Sequence, residues 1–133
     1  MHLAPYTHFQ LDQVLALYQS VGWTNYLDRA DSLEAAYQSS LFVLAAYDQD
    51  QVVGLVRVVG DGMTIVFVQD LLVLPQYQGQ GIGTQLLKAI LDKYADVYQL
   101  QLLTDDSEAS NGFYQSVGLK AADQVGCRSY LRM

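Results

Sequence analysis

Residues 78–83 read QGQGIG, which sets Gly79, Gly81 and Gly83 on alternate positions at the head of a helical pattern. Glycine accepts left-handed backbone and keeps side chains off a loop. The first amides of a helix have no intrahelical partner and lie at the positive end of its dipole. The combination makes a seat for a phosphate or pyrophosphate. A plain tight turn explains one or two such glycines, but not three. A P-loop would need a lysine after the glycines, and a dinucleotide fingerprint would need glycine where Thr84 stands.

Two further residue types could do chemistry. Asp70 interrupts the apolar run TIVFVQDLLVL at 64–74. An acid there costs free energy unless it is paired or functional. It reads either as a general base or as the ion-pair partner of Arg57 on the preceding strand. Tyr114, in NGFYQSVGL at 111–119, carries a phenolic hydroxyl on a segment that otherwise reads as an amphipathic helix, whose apolar face it would fill. Asp105, Asp106 and Glu108 form an acidic cluster that would attract a cation or simply be solvated. His2 and His8 stand too isolated to read as ligands, and lone Cys127 reads as buried and inert.

The elements that must position these residues follow from periodicity. Residues 2–6 suit a short strand. Apolar positions 11, 14, 15, 17, 18 and 21 recur at helical spacing and stop at Gly22. Asp31 or Ser32 would cap a second helix running to Ser40. Strands are expected at 41–48, 52–62 and 64–74, the first two closing as a hairpin. A helix over 81–94 leads to a strand at 98–104, which a crossover makes parallel to 64–74. A short helix over 107–117 ends at Gly118, and the tail SYLRM adds a last strand. The expected fold is therefore α/β, a mixed (α+β) central sheet flanked by helices.

Composition sets limits. The chain of 133 residues fits one domain spanning 1–133, and 51% hydrophobic residues suffice for a core. Seven Lys+Arg against fourteen Asp+Glu give a net charge of −7, and the basic residues are scattered. Nucleic acid is therefore not an expected partner, while an acidic surface either favours cationic ligands such as amines or simply keeps the chain in solution. A single cysteine excludes an internal disulfide and any multi-cysteine metal site. No apolar run is long enough to span a membrane, and MHLAPYTHFQLDQ lacks the pattern of a secretory leader. A cytoplasmic location without membrane attachment is the expectation.

The pattern Gln78-Gly79-Gln80-Gly81-Ile82-Gly83 resembles the acyl-CoA pyrophosphate loop of the GNAT superfamily of N-acetyltransferases. That signature is Q/R-x-x-G-x-G/A after a strand ending L-x-V-x-P, and Leu71-Leu72-Val73-Leu74-Pro75 stands in that place. NGFYQSVGL is similar to the superfamily's FYxxxGF segment. The resemblance implies acetyl-CoA (coenzyme A) as cofactor, no metal, and direct transfer of acetyl to a primary amine of a small molecule or peptide. It implies that backbone groups of Leu71, Leu72 and Val73 line up the pantetheine. Gln78 opens the loop in which the amides of Gly79, Gln80, Gly81, Ile82, Gly83 and Thr84 hold the pyrophosphate. The loop carries no Lys or Arg, so Lys88 is the nearby cation. Tyr114 falls at the position that protonates the departing thiolate. Where relatives carry an asparagine for the cofactor, this chain has Ser107, with Asn111 as the alternative contact. Trp23, Asn25 and Tyr26 in VGWTNY stand where the acceptor pocket is built, or pack over the core. Members often dimerise through sheet edges or the C-terminal strand, so a homodimer is an expectation. The alternative is a non-catalytic acyl-CoA-binding or sensor module on the same fold, and a third reading is a nucleotide-binding domain of another type.

Overall fold

Long β-branched runs and amphipathic segments alternate along the chain, and the fold sorts them into a sheet with helices packed on it. The computed structural model describes residues 1–133. The chain forms two compact units, residues 1–102 and residues 103–133.

The first unit contains β1 (His2–Pro5), α1 (Leu11–Ser20), α2 (Ala30–Gln38), β2 (Phe42–Asp48), β3 (Gln51–Gly60), β4 (Ile65–Val73), α3 (Ile82–Lys93) and β5 (Gln99–Leu102). The sheet order is β1-β2-β3-β4-β5, with β1 to β4 antiparallel and β5 parallel to β4. The expected mixed sheet and the parallel β4–β5 pair are therefore present.

Burial explains the patterning. Central strand β3 is buried from Val52 to Val58 on both faces, hence its near-continuous apolar sequence. Strand β4 alternates, with Val66, Val68, Asp70 and Leu72 turned inward. Helix α3 buries Ile82, Leu86, Leu87 and Ile90, one stripe at helical spacing. Its first turn comes very close to β3: a Cβ at Gly54 would lie 3.3 Å from Ile82 and 3.2 Å from Leu86. Helix α1 buries Val14, Leu17 and Tyr18 and packs on β3 and β4. No helix is long and apolar enough to cross a membrane.

The second unit contains α4 (Glu108–Ser116) and a 3-10 turn (Ala122–Val125). Here two expectations fail. SYLRM at 129–133 is not a strand, because this unit offers no second strand for a ladder. Cys127 is exposed rather than buried, since it follows the left-handed Gly126 in an exposed tail. Two boundaries also move. Strand β5 stops at Leu102. Helix α2 starts at Ala30, so Ser32 lies within it and donates to the Arg29 carbonyl at 3.0 Å instead of capping.

Candidate active site

The glycine loop lies between β4 and α3. Gly79 and Gly81 have φ of 81° and 83°, with no atom within 4 Å of where a Cβ would stand. Gly81 is the N-cap of α3, and no side chain caps that helix. Gly83 is already inside the helix. The Gln80 amide closes the turn over Gln78 and Gly79, while the amides of Gly79, Gly81, Ile82, Gly83 and Thr84 donate to no carbonyl of the neighbouring loop or strands; the next amide, of Gln85, bonds to the Gly81 carbonyl. Such a group of open donors at a helix start fits a diphosphate group. No Lys or Arg lies between Pro75 and Thr84, and Lys88 is exposed on α3.

The strand before the loop is open on one side. Strand β5 pairs with β4 only from Ile65 to Val68. At the next residue the β3–β4 register shifts, so Gln69 bulges from β4. The Leu74 amide donates to the Val53 carbonyl at 2.8 Å, and hydrogen-bonded pairs alternate along an antiparallel ladder. Leu72 and Asp70 therefore direct their backbone groups to β3, while Leu71 and Val73 direct theirs to the open side. The sequence reading is corrected in this respect: the backbone of Leu72 belongs to the β3 ladder. The Val73 carbonyl accepts the Gln78 side-chain amide at 2.9 Å.

Beneath this strand lies a buried polar network. Asp70 is 1% exposed and Arg57 is 5% exposed. Arg57 Nε donates to Asp70 Oδ2 at 2.7 Å, so the ion pair that was one reading of Asp70 exists. Tyr18 donates to the same Oδ2 and Tyr26 to Oδ1, each at 2.8 Å. Tyr18 has one proton and gives it to the carboxylate, so in the 2.6 Å contact Tyr37 donates to Tyr18. Arg57 also donates to Ser40 Oγ and lies over the Tyr37 ring. Burial, then the Asp70 charge, pushes the Tyr18 phenol far up, and burial raises Tyr26 and Tyr37. Burial works against the Arg57 charge, but the charge and hydrogen bond of Asp70 together with the neighbouring tyrosines raise its pKa and hold the guanidinium charged. No buried side-chain polar atom lacks a partner.

Tyr26 carries this network to the surface. It is half-buried, and its hydroxyl also accepts a hydrogen bond from exposed Gln69 Nε2 at 3.1 Å. Its ring stacks on Tyr18 at 4.5 Å, and Trp23 stacks on Tyr18 at 5.9 Å. Asn25 is exposed beside them in sequence. The structure thus brings Asp70, Tyr26 and Trp23 together. Tyr18, Tyr37, Ser40 and Gln69 are members that the sequence reading missed. The signal available was the inward stripe of α1 and α2, on which Tyr18 and Tyr37 fall.

The remaining candidates belong to the second unit. Ser107 is the N-cap of α4 and accepts the Ser110 amide at 3.1 Å. Asn111 donates to Asp106 at 3.0 Å, and Ser110 donates to Asp105 at 2.7 Å. The acidic cluster is thereby tied into the start of α4, and hydrogen bonds from Ser107 and Ser110 hold Asp105 below its ordinary range. Tyr114 is half-buried with Phe113 edge-on at 4.9 Å, and burial raises its phenol. No group of His, Cys, Asp and Glu has metal-site geometry.

This sheet, with its open β4 edge and glycine loop, has counterparts among known proteins. A family model described as an acetyltransferase (GNAT) domain matches residues 10–133. An acetyltransferase of the GNAT family from Streptococcus pneumoniae is 44% identical, with a TM-score of 0.89 over 99% of this chain and 96% of that one. An uncharacterized N-acetyltransferase from Prochlorococcus marinus is 30% identical over 82% of this chain, and the match spans 60% of that relative's length. An aminoglycoside 6'-N-acetyltransferase solved with coenzyme A shares the fold at TM-score 0.62 and 22% identity, over 71% of this chain and 56% of that one. The chain belongs to the GNAT acetyltransferase family.

Proposed function

We propose that the protein transfers an acetyl group from acetyl-CoA to a primary amine of a small molecule or peptide. The observation that carries this reading is the group of open amides at Gly79 and residues 81–84, next to the unpaired edge of β4. A pyrophosphate fits the loop, which has room and donors but no competing side chain. An extended pantetheine arm with its amides suits the outward groups of Leu71 and Val73, as an added strand would. The structural neighbour solved with coenzyme A supports the choice of cofactor.

Acetyl-CoA supplies the acetyl group and the leaving thiolate. In the reaction the acceptor nitrogen bonds to the carbonyl carbon, the carbon–sulfur bond breaks, and the nitrogen gives up one proton while the sulfur takes one. Tyr114 is the proposed proton donor to sulfur, since burial keeps its phenol protonated at neutral pH. Asp70 does not suit a base that touches the amine, because it is shut from solvent and occupied by Arg57, Tyr18 and Tyr26. We assign it a positioning role. It accepts the hydrogen bond of the Tyr26 hydroxyl, so that this oxygen, which already accepts from Gln69, presents its remaining lone pair to an acceptor N–H held beside Gln69 and Trp23. Ser107 and Asn111 are proposed as cofactor-side contacts only through their hydroxyl and amide ends, which α4 already uses. A dimer and a cytoplasmic setting go with this reading.

The test is turnover with a panel of amines, including a polyamine, an aminoglycoside, free amino acids and short peptides, read as release of free CoA thiol. Thiol release dependent on both acetyl-CoA and one class of amine is the expected result. Thiol release from no amine, with coenzyme A still bound, would favour the binding-module alternative.

A further inference from the structure

The loop between β4 and α3 has an anchor that neither the proposed transfer chemistry nor the family signature requires. Tyr77 closes the short turn Pro75–Tyr77, immediately before Gln78 and Gly79. Its hydroxyl donates to Asp48 Oδ2 at 2.7 Å. Asp48 is the last residue of β2 and pairs with Gln51 across a tight hairpin, whose Gln49 takes a left-handed φ of 56°. The carboxylate that holds Tyr77 therefore stands on a rigid corner of the sheet.

Two more ties converge on the same stretch. The Leu74 backbone amide reaches the Val53 carbonyl at 2.8 Å, and the Gln78 side-chain Nε2 reaches the Val73 carbonyl at 2.9 Å. Val53 accepts there because its backbone groups, like those of Leu55 and Arg57, face β4 in the alternating ladder. Every residue from Leu74 to Gln78 is thus fixed to strand or hairpin directly or through a neighbour, and freedom begins at Gly79. That placement matters because the loop carries no cation. Its hold on a diphosphate rests on how well the open amides are already aimed, and glycines left to themselves spread over many conformations.

We infer that Tyr77 and Asp48 are a positioning pair for the cofactor: their hydrogen bond fixes the entry to the open amides of Gly79 and residues 81–84 in the diphosphate-binding geometry. The inference rests on the coenzyme A reading above. No residue of the Pro75–Tyr77 turn is buried, so loss of the tyrosine hydroxyl removes nothing from the core. Its effect should fall on ligand binding and not on folding.

The test is calorimetric titration of coenzyme A into the unaltered protein and four variants, with the melting temperature of each free protein measured alongside. Tyr77→Phe and Asp48→Ala should each raise Kd by about five- to tenfold, the size expected for one hydrogen bond. Asp48→Asn keeps an acceptor oxygen and should stay within about twofold of the unaltered protein. The double variant Tyr77→Phe/Asp48→Ala should be no weaker than either single one. Free melting temperatures should agree within a few degrees. Unchanged affinity in Tyr77→Phe overturns the pairing, as does a double variant that adds the two single losses. Failure of the unaltered protein to bind coenzyme A would remove the reading beneath it, a result distinct from both.

Discussion

Arg57 and Asp70 are direct partners across β3 and β4, with Nε and Oδ2 2.7 Å apart and both side chains withdrawn from water. The pair lies beside the bulge at Gln69, where β4 leaves β5. A buried ion pair offsets its desolvation only when every remaining donor and acceptor is matched. Tyr18, Tyr26 and Ser40 provide that matching here.

Removing one partner should be costly. Arg57→Leu leaves Asp70 buried without its cation and should destabilise the fold by about 3–5 kcal/mol in urea unfolding. Adding Asp70→Asn to that variant should recover part of the loss, because the uncompensated charge is gone. A loss below about 1 kcal/mol in Arg57→Leu would mean that the pair is not desolvated in solution.

Tyr26→Phe separates structure from recognition. It deletes the hydrogen bond to buried Asp70 Oδ1 and the acceptor used by Gln69, at a stability cost of about 1.5–3 kcal/mol. If Tyr26 holds the acceptor amine, KM for the amine should rise about tenfold while KM for acetyl-CoA stays unchanged. Equal rises in both constants would contradict an acceptor-side role.

Tyr114→Phe should leave coenzyme A affinity unchanged and reduce kcat by about 100-fold, the lower range for loss of a positioned acid. Burial raises this phenol above the ordinary tyrosine value of about 10, so its acid form persists through neutral pH. Deprotonation of this group should therefore depress kcat only above about pH 10, and the Phe variant should lack that limb. Unchanged turnover would remove the assignment.

The turn joining β3 and β4 predicts an acid limb in stability. Asp61 accepts the amides of Met63, Thr64 and Ile65 and the Thr64 hydroxyl. The Thr64 hydroxyl first, then those amides, hold its carboxyl far below the ordinary range. The folded value lies below the unfolded one, so the contribution is complete above about pH 4 and lost as pH falls through the folded value. Asp61→Asn should flatten the fall in melting temperature between about pH 5 and pH 2. Parallel curves for the two proteins would show that this turn does not carry the acid sensitivity.

Local pattern carried most of the fold. The run Val52–Val58 has no polar interruption but Arg57 and glycine, and it became a strand buried on both faces. The three spaced glycines gave the loop, since two left-handed backbones and an uncapped helix leave few other sequences. The network behind β4 was half legible. Asp70 stood out as an acid among apolar residues, and alternation put Arg57 within reach. Tyr18 and Tyr37 did not stand out, because a tyrosine on an inward helical stripe looks the same whether its hydroxyl meets a carboxylate or water. Asp48 and Tyr77 are 29 positions apart, and only the closing of the β2–β3 hairpin toward the loop joins them. The tail failed for the opposite reason. SYLRM has strand-forming residues, but a strand exists only with a partner edge, and propensity says nothing about partners.

The most direct measurement is calorimetric titration of coenzyme A into the unaltered protein beside a Gly79→Val/Gly81→Val variant. Both positions have left-handed φ, where a β-branched residue is strained, so the variant distorts the loop without touching the core. Saturable one-to-one binding that the variant weakens by at least about tenfold is the predicted result. No binding of coenzyme A, with ATP or NAD raising the melting temperature instead, would contradict the acetyl-CoA reading.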